Sequence, residues 1–370
     1  MSLRITRASQ PLTDRWRHVT VEPRGATRLG ISFRPLQAEA MGLEPRAALV
    51  ALLDYQYDFV RLAALWDRME PAPGVFDPSA LDWQVEVAER AGKQLIIGLG
   101  ALKNFGYPEF FAPKHHLPFP LPEGKLISEA SHPELLAAAL AFVARVVDRY
   151  QDHESVIAWQ IEHEAVDPLG VEHSWRLAAA FVKREVAEVR RLDPKRPILL
   201  NGFLPMSMPV AAQQWRSTRD QGDSLSLAEE AADIIGVDFY PCHALGAAGR
   251  WTAYLDAPEH AWRDRAPRLF KRAATQGPRL WISEGQAEPW EAVTTPPNPA
   301  GRVMASCPPE RVIDNYNRCL RLAREAGSSL DAYLFWGAEY WLLRQQAGDE
   351  SYLGAFRRIL LADDEQAGRA

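Results

Sequence analysis

Apolar runs rich in β-branched residues recur along the chain, and stretches with helical spacing separate them. Eight such runs stand out: Leu29–Phe33, Phe59–Leu65, Gln94–Leu99, Val156–Ile161, Ile198–Asn201, Ile234–Tyr240, Arg279–Ser283 and Ala332–Trp336. Runs such as Leu95-Ile96-Ile97 lack polar alternation, the pattern of a strand covered on both faces. Between the runs, Arg46–Leu53, Leu81–Ala91, Pro133–Tyr150, Trp175–Leu192 and Pro309–Ala326 read as helices. Gly92 marks the end of one and Asp193-Pro194 follows another.

Strands alternating with helices specify βαβ units and a parallel sheet. Eight units within 370 residues predict an α/β fold of the (β/α)8 TIM-barrel type. A doubly wound sheet is the alternative, but no Gly-rich phosphate fingerprint follows the first run. No linker or low-complexity stretch interrupts the pattern. Residues 27–370 are therefore expected to form one barrel domain, preceded by an N-terminal arm, residues 1–26. The connections Ala101–His132, Gly202–Asp233 and Gly285–Pro308 are long and follow the third, fifth and seventh strands. That places them at the C-terminal rim, where barrel enzymes keep their chemistry. Pro296-Pro297 and Pro299 stiffen the last of them.

Composition narrows the function classes. A net charge of −6 with scattered Arg residues gives no electrostatic reason to expect a nucleic-acid partner. No apolar stretch is long enough to span a membrane, and Met1–Gly25 has no apolar run of the signal type, so a cytoplasmic location is expected. Cys242, Cys307 and Cys319 lack metal-type spacing and read as reduced thiols. The many aromatic residues serve a core first. A Trp-rich mouth would also suit sugar rings, whose flat C–H faces stack on aromatics.

Two glutamates end apolar strands: Glu164 closes the run from Val156, and Glu284 closes Arg279–Ser283. Desolvating a carboxylate is costly, so each needs a reason to be there. A buried ion pair with Arg is one reason. Two such residues at the same rim point instead to chemistry. Glycoside hydrolysis needs this pair, one carboxyl to protonate the departing oxygen and one to attack the anomeric carbon or activate water. Their environments must hold the two in opposite protonation states.

The segment Val60-Arg61-Leu62 through Trp66, then Met69-Glu70-Pro71-Ala72-Pro73-Gly74-Val75-Phe76-Asp77 and Leu81-Asp82, resembles clan A of the glycoside hydrolases, which includes cellulases, β-galactosidases and β-mannanases. Trp159-Gln160-Ile161-Glu162-His163-Glu164 is similar to the clan's strand-four motif, and Trp281-Ile282-Ser283-Glu284 to its strand-seven motif. Asp238-Phe239-Tyr240-Pro241 and Phe335-Trp336-Gly337 resemble its sixth and eighth strand ends.

The resemblance implies a retaining glycoside hydrolase for a β-linked glycoside or oligosaccharide, working by double displacement without a cofactor. Glu164 would be the acid/base and Glu284 the nucleophile. Arg61 would hold the nucleophile through a charge-assisted hydrogen bond, Tyr240 would hydrogen-bond it, and Trp336 would form a platform under the sugar. Trp66 would support the site. One position departs from the pattern: His163 stands where the clan carries the Asn that binds the sugar 2-hydroxyl. A neutral His still donates one hydrogen bond, but it is larger and can become charged. That substitution motivates the alternative of a catalytically impaired carbohydrate-binding protein on the same barrel.

Strand alternation would put Glu162 on the same face as Glu164, so spacing alone does not choose between them as acid. The clan pattern favours Glu164. Gln286 and Trp290 follow Glu284 and are candidate sugar contacts. His115-His116 could begin a metal site, but no neighbouring Asp or Cys completes it, so the pair reads as a wall of the cleft. Cys242 lacks a base partner and reads as structural.

Overall fold

Strand alternation explains how the barrel fills its bore. In the computed structural model, which describes residues 2–117, 119–122, 124–168, 175–205, 208–257, 266–291 and 301–362, eight parallel strands close into a barrel. They are β1 (Arg28–Ser32), β2 (Phe59–Ala63), β3 (Gln94–Gly98), β4 (Val156–Gln160), β5 (Ile198–Phe203), β6 (Ile234–Phe239), β7 (Arg279–Gln286) and β8 (Ala332–Trp336). Each pairs with the next, and β8 returns to β1. Phe59, Ile96, Ala158, Leu199, Ile234, Trp281, Ala332 and Leu334 pack together as one layer inside the bore. Residues between them, such as Val60, Leu95 and Val237, face outward into the larger core shared with the helices. Every strand expected from the sequence is present, and the chain adopts the (β/α)8 architecture.

The helix Pro133–Tyr150 matches its expected bounds, and Pro45–Leu53, Ser79–Arg90 and Pro309–Glu325 differ from theirs by a residue or two. The fourth expected helix is shorter, Ala179–Leu192, because Arg176–Leu177 instead pairs in parallel with Leu126–Ile127 from the loop after β3. The connection after β5 holds two helices, Met208–Thr218 and Ser224–Ala231. Pro296, Pro297 and Pro299 lie outside the described residues.

A further long connection follows β6. There Cys242–Ala248 and Trp251–Asp256 form an antiparallel hairpin, and Ser2–Arg7 joins its outer edge. Ser9–Pro11 then pairs with Arg302–Met304 in the connection after β7. The start of the chain is thus woven into two loops of the C-terminal rim. Among the described residues, no helix is long and apolar enough to cross a membrane.

Candidate active site

One step above the apolar layer, the inward faces turn polar. Arg61 follows Phe59 by two residues, Gln160 follows Ala158, Asn201 follows Leu199 and Ser283 follows Trp281. These groups, with Asp238 and Tyr240 from the end of β6, form the floor of the candidate site. Glu284 reaches it through a break in register. Val237 pairs with Ile282 but Asp238 pairs with Glu284, so β7 spends one extra residue there. Strict alternation would turn Glu284 outward once Trp281 and Ser283 point in. The bulge rotates it into the bore, beside Ser283, whose hydroxyl donates to Asp238 Oδ1 at 2.7 Å.

Arg61 is wholly buried and all its donor groups are directed. Nε donates to Ser32 Oγ at 2.9 Å, Nη1 to Gln160 Oε1 at 3.1 Å and Nη2 to Glu284 Oε1 at 2.5 Å. Its guanidinium lies 4.0 Å from the ring centroid of Phe105. Tyr240 donates its hydroxyl proton to the other oxygen of Glu284. Both oxygens therefore accept, which an acceptor-only carboxylate can satisfy.

Glu164 sits in a different environment. β4 ends at Gln160, and both Glu162 (φ 49°) and Glu164 (φ 43°) adopt left-handed backbone conformations. Such strain in non-glycine residues persists only where surrounding bonds hold it. Here the Lys103 ammonium donates to the carbonyl oxygens of Glu164 at 2.6 Å and Asp167 at 2.8 Å. His163 N–H donates to the Lys103 carbonyl at 2.9 Å. Gly100 makes the close approach possible, because a Cβ there would collide with that same carbonyl. Burial pushes the Glu164 carboxyl well above the usual carboxylate range, and the nearby charges of Asp238, Asp167, Glu284 and Glu109 add to it. Burial and the charge of Glu284 push Asp238 up likewise.

The left-handed turn also separates Glu162 from Glu164, correcting the expectation from strand alternation. Glu162 accepts from the backbone N–H groups of Leu102 at 3.2 Å and Lys103 at 2.5 Å. It faces the buried carboxyl of Glu185 on the helix behind the barrel. Burial lifts Glu162 to about 7 and Glu185 well above the ordinary range. Both therefore keep protons that the unfolded chain has lost. The stability tied to these raised carboxyls is full below the ordinary Glu value of 4.5 and is lost as pH rises through about 7 and beyond. Glu185→Gln cannot ionise, so it is expected to raise Tm by about 2 °C or more near pH 8 and much less near pH 5. Thermal melts at the two pH values check this, and equal shifts at both would contradict the linkage.

Asn201 organises the side of the site that holds His163. Its Nδ2 donates to His163 Nδ1 at 2.9 Å and to Asp238 Oδ2 at 2.6 Å. Its Oδ1 accepts from Gln160 Nε2 at 3.1 Å and from Glu164 N–H at 3.4 Å. This amide orientation makes His163 Nδ1 an acceptor and leaves the ring proton on Nε2. Burial pushes the imidazole down to about 4, with Arg61 and Lys103 contributing against the opposing pull of Glu284, so the ring is neutral near pH 7. His163 Nδ1 lies 3.6 Å from Glu284 Oε1.

Aromatic rings line the mouth. Trp336 packs in one cluster with Phe105, Phe111 and Tyr240. Arg34 lies 4.4 Å from the Trp336 ring and is itself clamped by Glu288 and Glu339. Trp290, 41% exposed, stacks on Tyr240 with centroids 4.6 Å apart. Two of the expected site residues lie elsewhere. Gln286 is fully buried, and its amide is consumed by the backbone of Cys242, at 3.2 Å and 2.6 Å. Trp66 is also fully buried; its ring stacks on Phe142, and its indole N–H donates to Glu70 at 2.7 Å. His115 and His116 likewise turn to Glu70 instead of the carboxylate pair. Burial pushes the Cys242 thiol up to about 12, as suits a structural cysteine.

The structure brings together Arg61, His163, Glu164, Tyr240, Glu284, Trp290 and Trp336. The expectations had not included Asn201 and Lys103. Asn201 was visible as the one amide ending the run Ile198-Leu199-Leu200; Lys103, inside a long loop, gave no such signal.

A closed (β/α)8 barrel with glutamates at the ends of β4 and β7 has the form of a clan A glycoside hydrolase. Comparison with known proteins agrees: residues 51–190 match the family Glyco_hydro_42, described as beta-galactosidase. That stretch carries Arg61, His163 and Glu164 and stops short of Glu284. The β-galactosidase bgaB of Geobacillus kaustophilus is 26% identical over 107 residues, 27% of this chain and 16% of bgaB. BgaB of Geobacillus sp. (strain Y412MC61) is 24% identical over the same shares. The chain thus matches only 16% of the length of these curated relatives. Among solved structures, GH5_18 from Streptomyces cattleya in complex with GlcNAc has a TM-score of 0.56 at 13% identity, covering 92% of this chain and 81% of that one. The exo-β-1,4-mannosidase Op5Man5 from Opitutaceae bacterium strain TAV5 has a TM-score of 0.54 at 15% identity, covering 97% and 63%. These structures share the fold.

Proposed function

We propose that the protein is a retaining β-glycosidase, with Glu284 as nucleophile and Glu164 as acid/base. The observation that carries this reading is the asymmetry of the two carboxyls. Glu284 accepts from Arg61 and Tyr240 on its two oxygens, whereas burial and surrounding negative charge favour the protonated form of Glu164. Opposed environments of this kind separate a nucleophile from an acid.

In the first step a Glu284 oxygen attacks the anomeric carbon while Glu164 gives its proton to the departing glycosidic oxygen. The C–O bond to the leaving group breaks as the glycosyl ester forms. Glu164, now ionised, then takes a proton from water, whose oxygen displaces Glu284 and restores both groups. His163 offers its Nε2–H where the clan's Asn offers an amide. Trp336 and Trp290 supply ring faces for the sugar. The partner is a carbohydrate, and the names of the relatives make β-galactosides and β-mannosides the first substrates to try.

The test is a screen of nitrophenyl β-glycosides, followed by incubation with the matching 2-deoxy-2-fluoro glycoside. Stoichiometric labelling of the Glu284 peptide, read by mass spectrometry, is expected. Sugar binding without labelling or turnover would replace this reading with that of a binding protein.

A further inference from the structure

The paired histidines of the loop after β3 meet a ligand set of their own. The short turn Lys114–His116 places both imidazoles beside the helix Trp66–Met69, and the His116 ring centroid lies 4.8 Å from that of Trp66. Glu70 follows that helix directly. Its Oε1 lies 3.1 Å from His115 Nε2 and 3.0 Å from His116 Nε2. Ligand-capable atoms of all three residues fall within 4.8 Å of one another. Trp66 Nε1–H donates to the other carboxylate oxygen at 2.7 Å, which orients Oε1 toward the imidazoles.

Metal–ligand lengths of about 2.0–2.2 Å put neighbouring ligand atoms of a tetrahedral site roughly 3.3–3.5 Å apart. The present contacts need open by only a few tenths of an ångström to admit an ion. Two imidazoles and a carboxylate form a donor set suited to zinc, and an indole N–H behind the carboxylate is the kind of outer partner that fixes such a ligand. In a second group, His163, Glu164 and Asp238, such atoms also lie within 4.8 Å of one another. There, however, His163 Nδ1 and Asp238 Oδ2 already accept from the Asn201 amide.

We propose that Glu70, His115 and His116 bind a divalent transition-metal ion of the zinc type, with water completing the coordination. The side chains are 10–24% exposed, so an ion can enter from solvent. The metal cross-links the loop after β3 to the segment after β2. That loop also sends Lys103 to the turn bearing Glu164 and Phe105 to Arg61, so the ion stiffens one wall of the site. The assignment does not depend on what the carboxylate pair does.

The experiment strips the full chain with a chelator and titrates it with ZnCl2 by calorimetry, and with CoCl2 by visible absorption. Expected are one zinc equivalent lost in the double variant His115→Ala/His116→Ala, and d–d bands of four-coordinate cobalt absent from it. Trp66→Phe should weaken zinc binding about 10–100-fold. Zinc should raise the Tm of the wild type and leave that of the double variant unchanged. If wild type and double variant bind zinc alike, or the wild type binds none, the proposal is wrong; retention by the double variant would place the ion at His163, Glu164 and Asp238.

Discussion

Glu284→Gln is expected to lower turnover of any glycoside the protein cleaves by roughly 10⁴-fold or more, because an amide oxygen cannot form the glycosyl ester. The substitution is nearly isosteric, so the fold should persist and sugar binding should survive. Glu164→Ala is expected to behave differently. Its loss should be severe for poor leaving groups and mild for dinitrophenyl glycosides, which depart without protonation. Azide should then restore turnover in the second step by attacking the ester where activated water no longer does. Steady-state kinetics on both variants, with and without azide, would check the pair. Near-normal turnover by Glu284→Gln, or an equal loss for all leaving groups in Glu164→Ala, would mean that the roles are misassigned.

Arg61→Met should be the most damaging single change to stability. Arg61 and Glu284 are 0% and 2% exposed, and removing the cation strands the carboxylate inside the barrel. Breaking such a buried pair costs about 3–5 kcal/mol. The loss also frees Ser32 and Gln160 from their donor and removes the cation packed on Phe105. Arg61→Lys should recover only part of it, since an ammonium cannot reproduce the three-way planar fork. Urea denaturation of the three proteins measures the effect. A loss below about 1 kcal/mol for Arg61→Met would show that the pair is not buried as described.

The barrel was legible because eight apolar runs carry their own signature, and all eight strands fall where those runs lie. The site was legible as two strand-end glutamates, but its detail depends on departures from regular geometry. The left-handed turn at Glu162 and Glu164 sends one carboxyl to Glu185 and the other to the mouth, against the period of two. The bulge at Ser283 turns Glu284 inward, and its one mark in the sequence is Gly285 inside the strand. Gln286 looked like a sugar contact and Trp66 like a support of the site because polar and aromatic residues near a catalytic motif invite those readings. Tertiary packing gave their polar groups to Cys242 and Glu70 instead. The histidine pair lacked a third ligand within its own loop, since Glu70 arrives from a different connection of the barrel.

The weave of the chain's first residues into the rim has a consequence for the order of assembly. Ser2–Arg7 leaves the ribosome well before its partner strand Trp251–Asp256, and Ser9–Pro11 well before the segment Arg302–Met304 that receives it. Loop closure over that distance must await most of the barrel. Both of these partners nevertheless precede β8 (Ala332–Trp336), whose Ala332 and Leu334 complete the apolar layer, so the loops flanking Glu284 and Trp290 can be secured before the barrel closes. A nascent chain can tie its entrance before it can close its bore.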